Sequence, residues 1–192
     1  MSKKIEIPNH SYYRLINTGP VILGTFRSGE KQNITTFAWT TPLSKDPPLL
    51  GIALAPERYS YELIKESNVF CVNVPNSSIL SKVFEAGNIS GRDYDKFKLL
   101  ELDFTEAEKV NCPLLTDCIG NIECEVQQIV HVGDHYFFIG EVKRAIVSEE
   151  IWENNHLNLK KENGQTVHHL GDQYFTIPNQ ITEAKFFSRE KK

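Results

Sequence analysis

The sequence predicts a mainly β protein, a closed or partly closed antiparallel barrel carrying a few short helices. Three observations predict it. Short runs of β-branched, aromatic and small residues recur along the 192 residues, each closed off by Gly, Pro, Ser or Asn. Two longer runs, Ile119–Val132 and His135–Val147, are separated only by Gly133-Asp134, a two-residue loop with Gly first that specifies a type II′ hairpin. Helical signals are confined to two brief stretches. Six or more strands with two short helices point to an antiparallel barrel.

Taken in order, Val21–Phe26, Asn33–Thr41, Leu49–Ala55 and Val69–Val74 read as strands. Ser60–Ser67 reads as a helix after Pro56-Glu57-Arg58, with Tyr61 and Ile64 on one face. A second helix over Ser77–Glu85 starts after Asn76, a good N-cap, and stops at Ala86-Gly87. Its apolar residues Ile79, Leu80, Val83 and Phe84 form one stripe, so it covers the sheet. Beyond Glu149 the chain turns polar, which predicts a long surface loop before order resumes at His168–Ile177. No repeat or linker divides the chain, so one domain is expected over residues 1–192, with a core of about 10–177 and a tail of 178–192.

Composition narrows the function. A formal net charge of −4 supplies no basic excess for a nucleic-acid partner and no reason to expect a membrane surface. The N-terminus has no apolar stretch behind its lysines and no run approaches membrane-spanning length, so a cytoplasmic protein is expected. Cys71, Cys112, Cys118 and Cys124 make no CxxC pair and read as free buried thiols. The last three recur every six residues, which on an extended strand would share one face. Without a fourth ligand they make a poor zinc site, and no metal is expected.

No GxSxG, P-loop, HExxH, GxGxxG or paired-carboxylate motif is present, so any hard chemistry belongs to a bound cofactor and no side chain is assigned as catalytic. Pro56-Glu57-Arg58-Tyr59-Ser60 is the best anion site: a strand ends and a helix begins there, with Arg58 offering a fork of donors and Ser60 a hydroxyl. Ser60 merely capping the helix and Arg58 merely solvated is the competing reading. Asn33-Ile34-Thr35-Thr36-Phe37-Ala38-Trp39 offers short hydroxyls beside an aromatic wall, suited to a flat ligand with a polar rim, or else is an ordinary strand. Lys96 sits in a mixed-charge run from Arg92 to Lys98; it either reaches a phosphate or belongs to a solvated surface. His135, His168 and His169 are ligand contacts or structural histidines.

In this order the segments resemble the flavin-reductase-like family of FMN-binding split barrels, especially its flavoredoxin-type and iron-reductase-type members. The resemblance runs from about Pro20 to Phe175. It rests on Asn33–Trp39 with Pro42 and Asp46-Pro47-Pro48, and on Arg58–Ile64 leading to Phe70-Cys71-Val72-Asn73-Val74-Pro75. Ser90-Gly91-Arg92 with Asp95-Lys96-Phe97, Pro113-Leu114-Leu115, and the closing His169-Leu170-Gly171 with Tyr174-Phe175 complete it. The resemblance implies an antiparallel Greek-key split barrel that binds FMN as a homodimer. It implies that Asn33, Ile34, Thr35, Thr36, Ala38 and Trp39 line the isoalloxazine and ribityl chain. Arg58, Tyr59, Ser60 and Lys96 would hold the phosphate end. His135, His168, His169 and Tyr174 would lie near the flavin, within one chain or across a dimer interface. NAD(P)H or a redox protein would supply electrons and a small molecule would accept them; a non-catalytic carrier of FMN or haem is the alternative. One departure stands out: where the closing motif often has a second glycine, this chain has Asp172.

Overall fold

The structure, a computed structural model, describes residues 4–161, 163–178 and 180–182. The expected tail from 178 lies largely outside them. Chain order begins with a 3₁₀ turn over Asn9–Leu15, followed by β1 (Ile22–Ser28), β2 (Lys31–Phe37), β3 (Thr40–Lys45) and β4 (Pro48–Leu54). Then come α1 (Tyr59–Ser67), β5 (Val69–Pro75), α2 (Leu80–Asn88) and α3 (Lys96–Leu99). The rest is β6 (Phe104–Glu106), β7 (Pro113–Leu115), β8 (Cys118–Val132), β9 (His135–Val147), β10 (Trp152–Glu153), β11 (His156–Leu157), β12 (His168–Gly171) and β13 (Tyr174–Thr176).

Seven strands make one antiparallel sheet in the order β2-β1-β5-β8-β9-β4-β3. The sheet must curl, because Phe37 of β2 and Ile52 of β4, near its opposite edges, share one buried cluster with Phe26, Phe70 and Phe138. Period-two alternation sends Ile22 and Phe26 of β1 into that interior and Leu23 to the other face. There Leu23 meets Ile34, Val83, Ala86 and Phe97, so α2 and α3 seal the outside of β1 and β2. The described residues contain no helix long and apolar enough to cross a membrane.

The β8–β9 hairpin turns at Gly133-Asp134 as expected: Gly133 takes φ +61 and Val132 pairs His135. Other local expectations shift. The run Asn33–Thr41 is two strands, parted at Ala38-Trp39 where the chain crosses from one sheet edge to the other; the Trp39 carbonyl there accepts from the Ala53 N–H at 3.0 Å. Asn76 does cap, accepting from the Ser78 N–H at 2.9 Å, but through a 3₁₀ turn before α2, and α2 runs on through Gly87 to Asn88. Gly87 is small for another reason: a Cβ would press on Thr36, so helix and strand touch there. Phe84, placed on the apolar stripe, is exposed. The cysteines do not share a face either. Cys112 precedes β7 and packs with Cys71, while a bulge between Glu123 and Cys124 turns Cys124 into the barrel interior. All four remain free thiols, and burial pushes those of Cys118 and Cys124 up to about 12. The polar excursion after Glu149 carries a tight β10–β11 hairpin turned by Asn154 and Asn155, both at positive φ.

Candidate functional site

One groove runs along the edge where β2 crosses to β3. Its middle, a cleft of about 370 Å³, is walled by Thr35, Thr36, Ala38 and Trp39, by Ala53–Ala55 at the end of β4, and by His135 and His169. At one end it shares Thr35, Glu57 and Arg58 with a second cavity of about 360 Å³ that reaches Asn33, Tyr59, Ser60, Gly91 and Lys96. At the other it shares Thr36, Ala38, Gly87 and His169 with a smaller cavity bounded by Phe175 and Asp172.

The Arg58 end is built for an anion. Arg58 is the N-cap residue of α1, so the unpaired first-turn N–H groups open toward its surroundings. Ser60 is not the cap. It sits inside the first turn, fully buried, where its hydroxyl accepts from Asn33 Nδ2 at 2.9 Å and keeps its own proton free to donate. Lys96 is not solvated: it is only 3% exposed, and its Nζ donates to the carbonyls of Ile34 and Ala86 at 2.9 and 2.7 Å. Burial first, and then the Arg58 charge, pull its ammonium down to about 8. Among the described residues neither Lys96 nor Arg58 takes part in an ion pair, and the third Lys96 N–H has no protein acceptor. Two neighbouring cations, neither paired with a carboxylate although Glu57 also lines this end, are an unfavourable arrangement that a phosphate would correct. Asn33 Oδ1 is likewise buried without a partner.

Gly91 completes the cradle. A Cβ there would strike both the Asn33 amide and the Tyr59 ring. Gly91→Ala is therefore expected to push Asn33 off Ser60 and to weaken anion binding at least tenfold, alongside a stability loss of about 1–3 kcal/mol. Isothermal titration with phosphate-bearing and phosphate-free forms of one ligand reads the first; only the phosphate-bearing form should lose affinity.

The opposite stretch is aromatic and nearly uncharged. Trp39 faces His135 with ring centres 4.9 Å apart and meets Tyr13 edge-on at 5.7 Å. Thr36 Oγ1 donates to the Val83 carbonyl at 2.5 Å, anchoring α2 against the groove. Asn17, oriented to satisfy both contacts, donates to the Ala38 carbonyl and accepts from Trp39 Nε1, each at 2.9 Å. Asp134 Oδ1 lies 2.7 Å from His135 Nδ1, and that contact holds the exposed Asp134 carboxyl below its usual range.

The structure brings together most of the expected residues. Asn33, Thr35, Thr36, Ala38, Trp39, Arg58, Tyr59, Ser60, Lys96, His135 and His169 all line the groove. Ile34 does not, except through its carbonyl: its side chain is in the outer core. His168 lies outside the lining and ties β12 to the Thr18 carbonyl at 3.3 Å and to Thr166 at 3.2 Å. Tyr174 is 63% exposed and lines none of these cavities. Tyr13, Arg14 and Asn17 escaped the sequence reading, which placed nothing before Pro20; the adjacent tyrosines Tyr12-Tyr13 were the available signal.

The curled seven-stranded sheet with this edge groove defines a split barrel. The chain belongs to the family of the Flavin reductase like domain, whose model matches residues 13–170. An uncharacterised protein of Archaeoglobus fulgidus is 42% identical over 113 residues, which is 59% of this chain and 64% of that one. Another from Pyrococcus abyssi is 35% identical over 148 residues, covering 77% of this chain and 85% of that one. Among solved structures, flavoredoxin from Methanosarcina acetivorans superposes with a TM-score of 0.83 at 27% identity over 95% of both chains.

Proposed function

We propose that this chain is an FMN-dependent oxidoreductase that passes electrons from NAD(P)H or a redox protein to a small acceptor. The observation that carries the reading is the pair of unpaired cations, Lys96 and Arg58, at one end of a groove whose other end is an aromatic slot where the lining cation, Arg14, is already paired with Asp172. A flat ring joined by a polar chain to a phosphate has that same distribution of chemistry. Family membership supports it, as does the likeness to a flavoredoxin.

Arg58, Lys96, Ser60 and the first turn of α1 hold the phosphate. Thr35, Thr36 and Ala38 border the polar chain, and Trp39 walls the ring. Bound there, FMN supplies reversible electron transfer that no side chain of the protein can supply. The protein's own part is to fix and orient it. Asp134 contacts His135 Nδ1 and so fixes the imidazole ring that faces Trp39 across the slot.

The test is a visible spectrum of the purified protein, FMN titration, and then NADH or NADPH without oxygen. Flavin bands that bleach support a nicotinamide-dependent enzyme; bands that persist until a ferredoxin-like donor is added support the redox-protein route. Bands that no donor reduces favour the carrier alternative, and failure to take up FMN overturns the reading.

The proposal includes a homodimer. An apolar groove on β8 and β9 is lined by Ile119, Ile122, Ile146, Val147, Trp152 and Leu157, with Ile146, Val147 and Trp152 exposed. Such a face on a small protein favours a second copy. Trp152→Asp is expected to convert the dimer to monomer in sedimentation velocity at micromolar concentration; a monomeric wild type overturns the assignment.

A further inference from the structure

The wall at the ring end is assembled from two segments far apart in sequence, the turn over Asn9–Leu15 and the β12–β13 hairpin. Arg14 links them: its Nη2 lies 3.2 Å from Asp172 Oδ1. Its guanidinium also lies 5.0 Å from the Tyr13 ring centre, and Tyr13 packs on Trp39. Any side chain at Gly171, which has φ +135, would strike that guanidinium. Asp172 itself has φ +50, a left-handed conformation where glycine is at ease and Asp or Asn is tolerated. The turn is pinned from beneath by His169, whose Nε2 contacts the Asp172 carbonyl at 3.1 Å.

A carboxylate therefore occupies a position whose backbone suits glycine, and its partner is a cleft-lining cation. We infer that Arg14 and Asp172 are positioning residues that latch the N-terminal turn to the closing hairpin beside the ring slot. On the FMN reading, on which this rests, the latch slows the departure of the flavin from the groove. The two ends of the groove then divide the work: Arg58 and Lys96 set affinity for the phosphate, and the latch sets residence time.

FMN dissociation from the reconstituted full-length protein, followed by recovery of flavin fluorescence after dilution, tests it. An exposed ion pair sets the scale, so Arg14→Gln and Asp172→Asn should each raise the off-rate roughly two- to fivefold. Asn keeps the left-handed turn, so the second change removes charge alone, and melting temperature should hardly move. Arg14→Lys should restore most of the residence time. The difference between wild type and Asp172→Asn should also shrink in 1 M salt, where the pair is screened. Unchanged off-rates in both variants overturn the latch. A wild type that takes up no FMN overturns instead the reading beneath it, and the initial titration separates the two failures.

Discussion

Lys96→Met is expected to lower FMN affinity about 10- to 100-fold, the loss of one charge-assisted hydrogen bond from a buried donor. The residue is almost inaccessible, its remaining N–H is unclaimed, and Arg58 is close enough to depress its proton affinity. A phosphate beside it favours the charged ammonium. The folded lysine loses its proton near 8 rather than at its usual 10.5, so affinity should be full below pH 8 and fall as the pH rises past it. In the ligand-free protein the sign reverses. Below pH 8 the fold carries the full penalty of a buried cation; between about 8 and 10.5 the unfolded chain keeps a proton the native state has released, and stability rises. Lys96→Met should flatten both profiles. Titration calorimetry and melting temperatures across pH 7–10 check them, and an unchanged affinity would remove Lys96 from the phosphate site.

Glu123→Gln is expected to destabilise the fold by about 3 kcal/mol, a fall of roughly 6–12 °C in melting temperature for a chain of this size. Glu123 is 1% exposed on β8 and accepts from the Lys109 and Glu108 N–H groups at 2.6 and 3.3 Å and from Arg144 Nη1 at 3.1 Å. A glutamine of the same shape would turn an NH₂ toward donors. With the amide nitrogen toward Lys109 that N–H loses its acceptor; with it the other way Arg144 keeps, among the described residues, only the exposed Glu108, 2.8 Å from Nη2, and either way the 107–111 loop is loosened from the sheet. A melting temperature within a degree or two of wild type would show the carboxylate to be dispensable.

The barrel was legible in the chain because its information is local: alternation in β1 and β2, and the Gly133-Asp134 turn, each fix structure within a few residues. The groove was half legible. Thr36, Trp39 and Arg58 could be picked out because a polar strand and a strand-to-helix junction have recognisable chemistry. From its own segment Lys96 read either as a phosphate contact or as surface, and only the resemblance chose, because nothing in Arg92–Lys98 reveals that one lysine reaches back to the carbonyl of Ile34 across 62 positions. Ser60 read equally well as a cap because its true partner, Asn33, is 27 positions away. Arg14 and Asn17 had no signal of their own beyond the neighbouring Tyr12-Tyr13; their partners, Asp172 for one and Ala38 with Trp39 for the other, lie elsewhere in the sequence.

The chain has two tryptophans, and the fold sends them to separate surfaces. Trp39 stands in the ring slot; Trp152 stands on the apolar face of β8 and β9. Intrinsic emission is therefore already a two-channel reporter. A flavin in the slot quenches Trp39 by energy transfer at close range, whereas burial of Trp152 against another molecule shifts its band to the blue. Trp39→Phe leaves the second channel alone, so ligand uptake and self-association can be followed in one cuvette without a label.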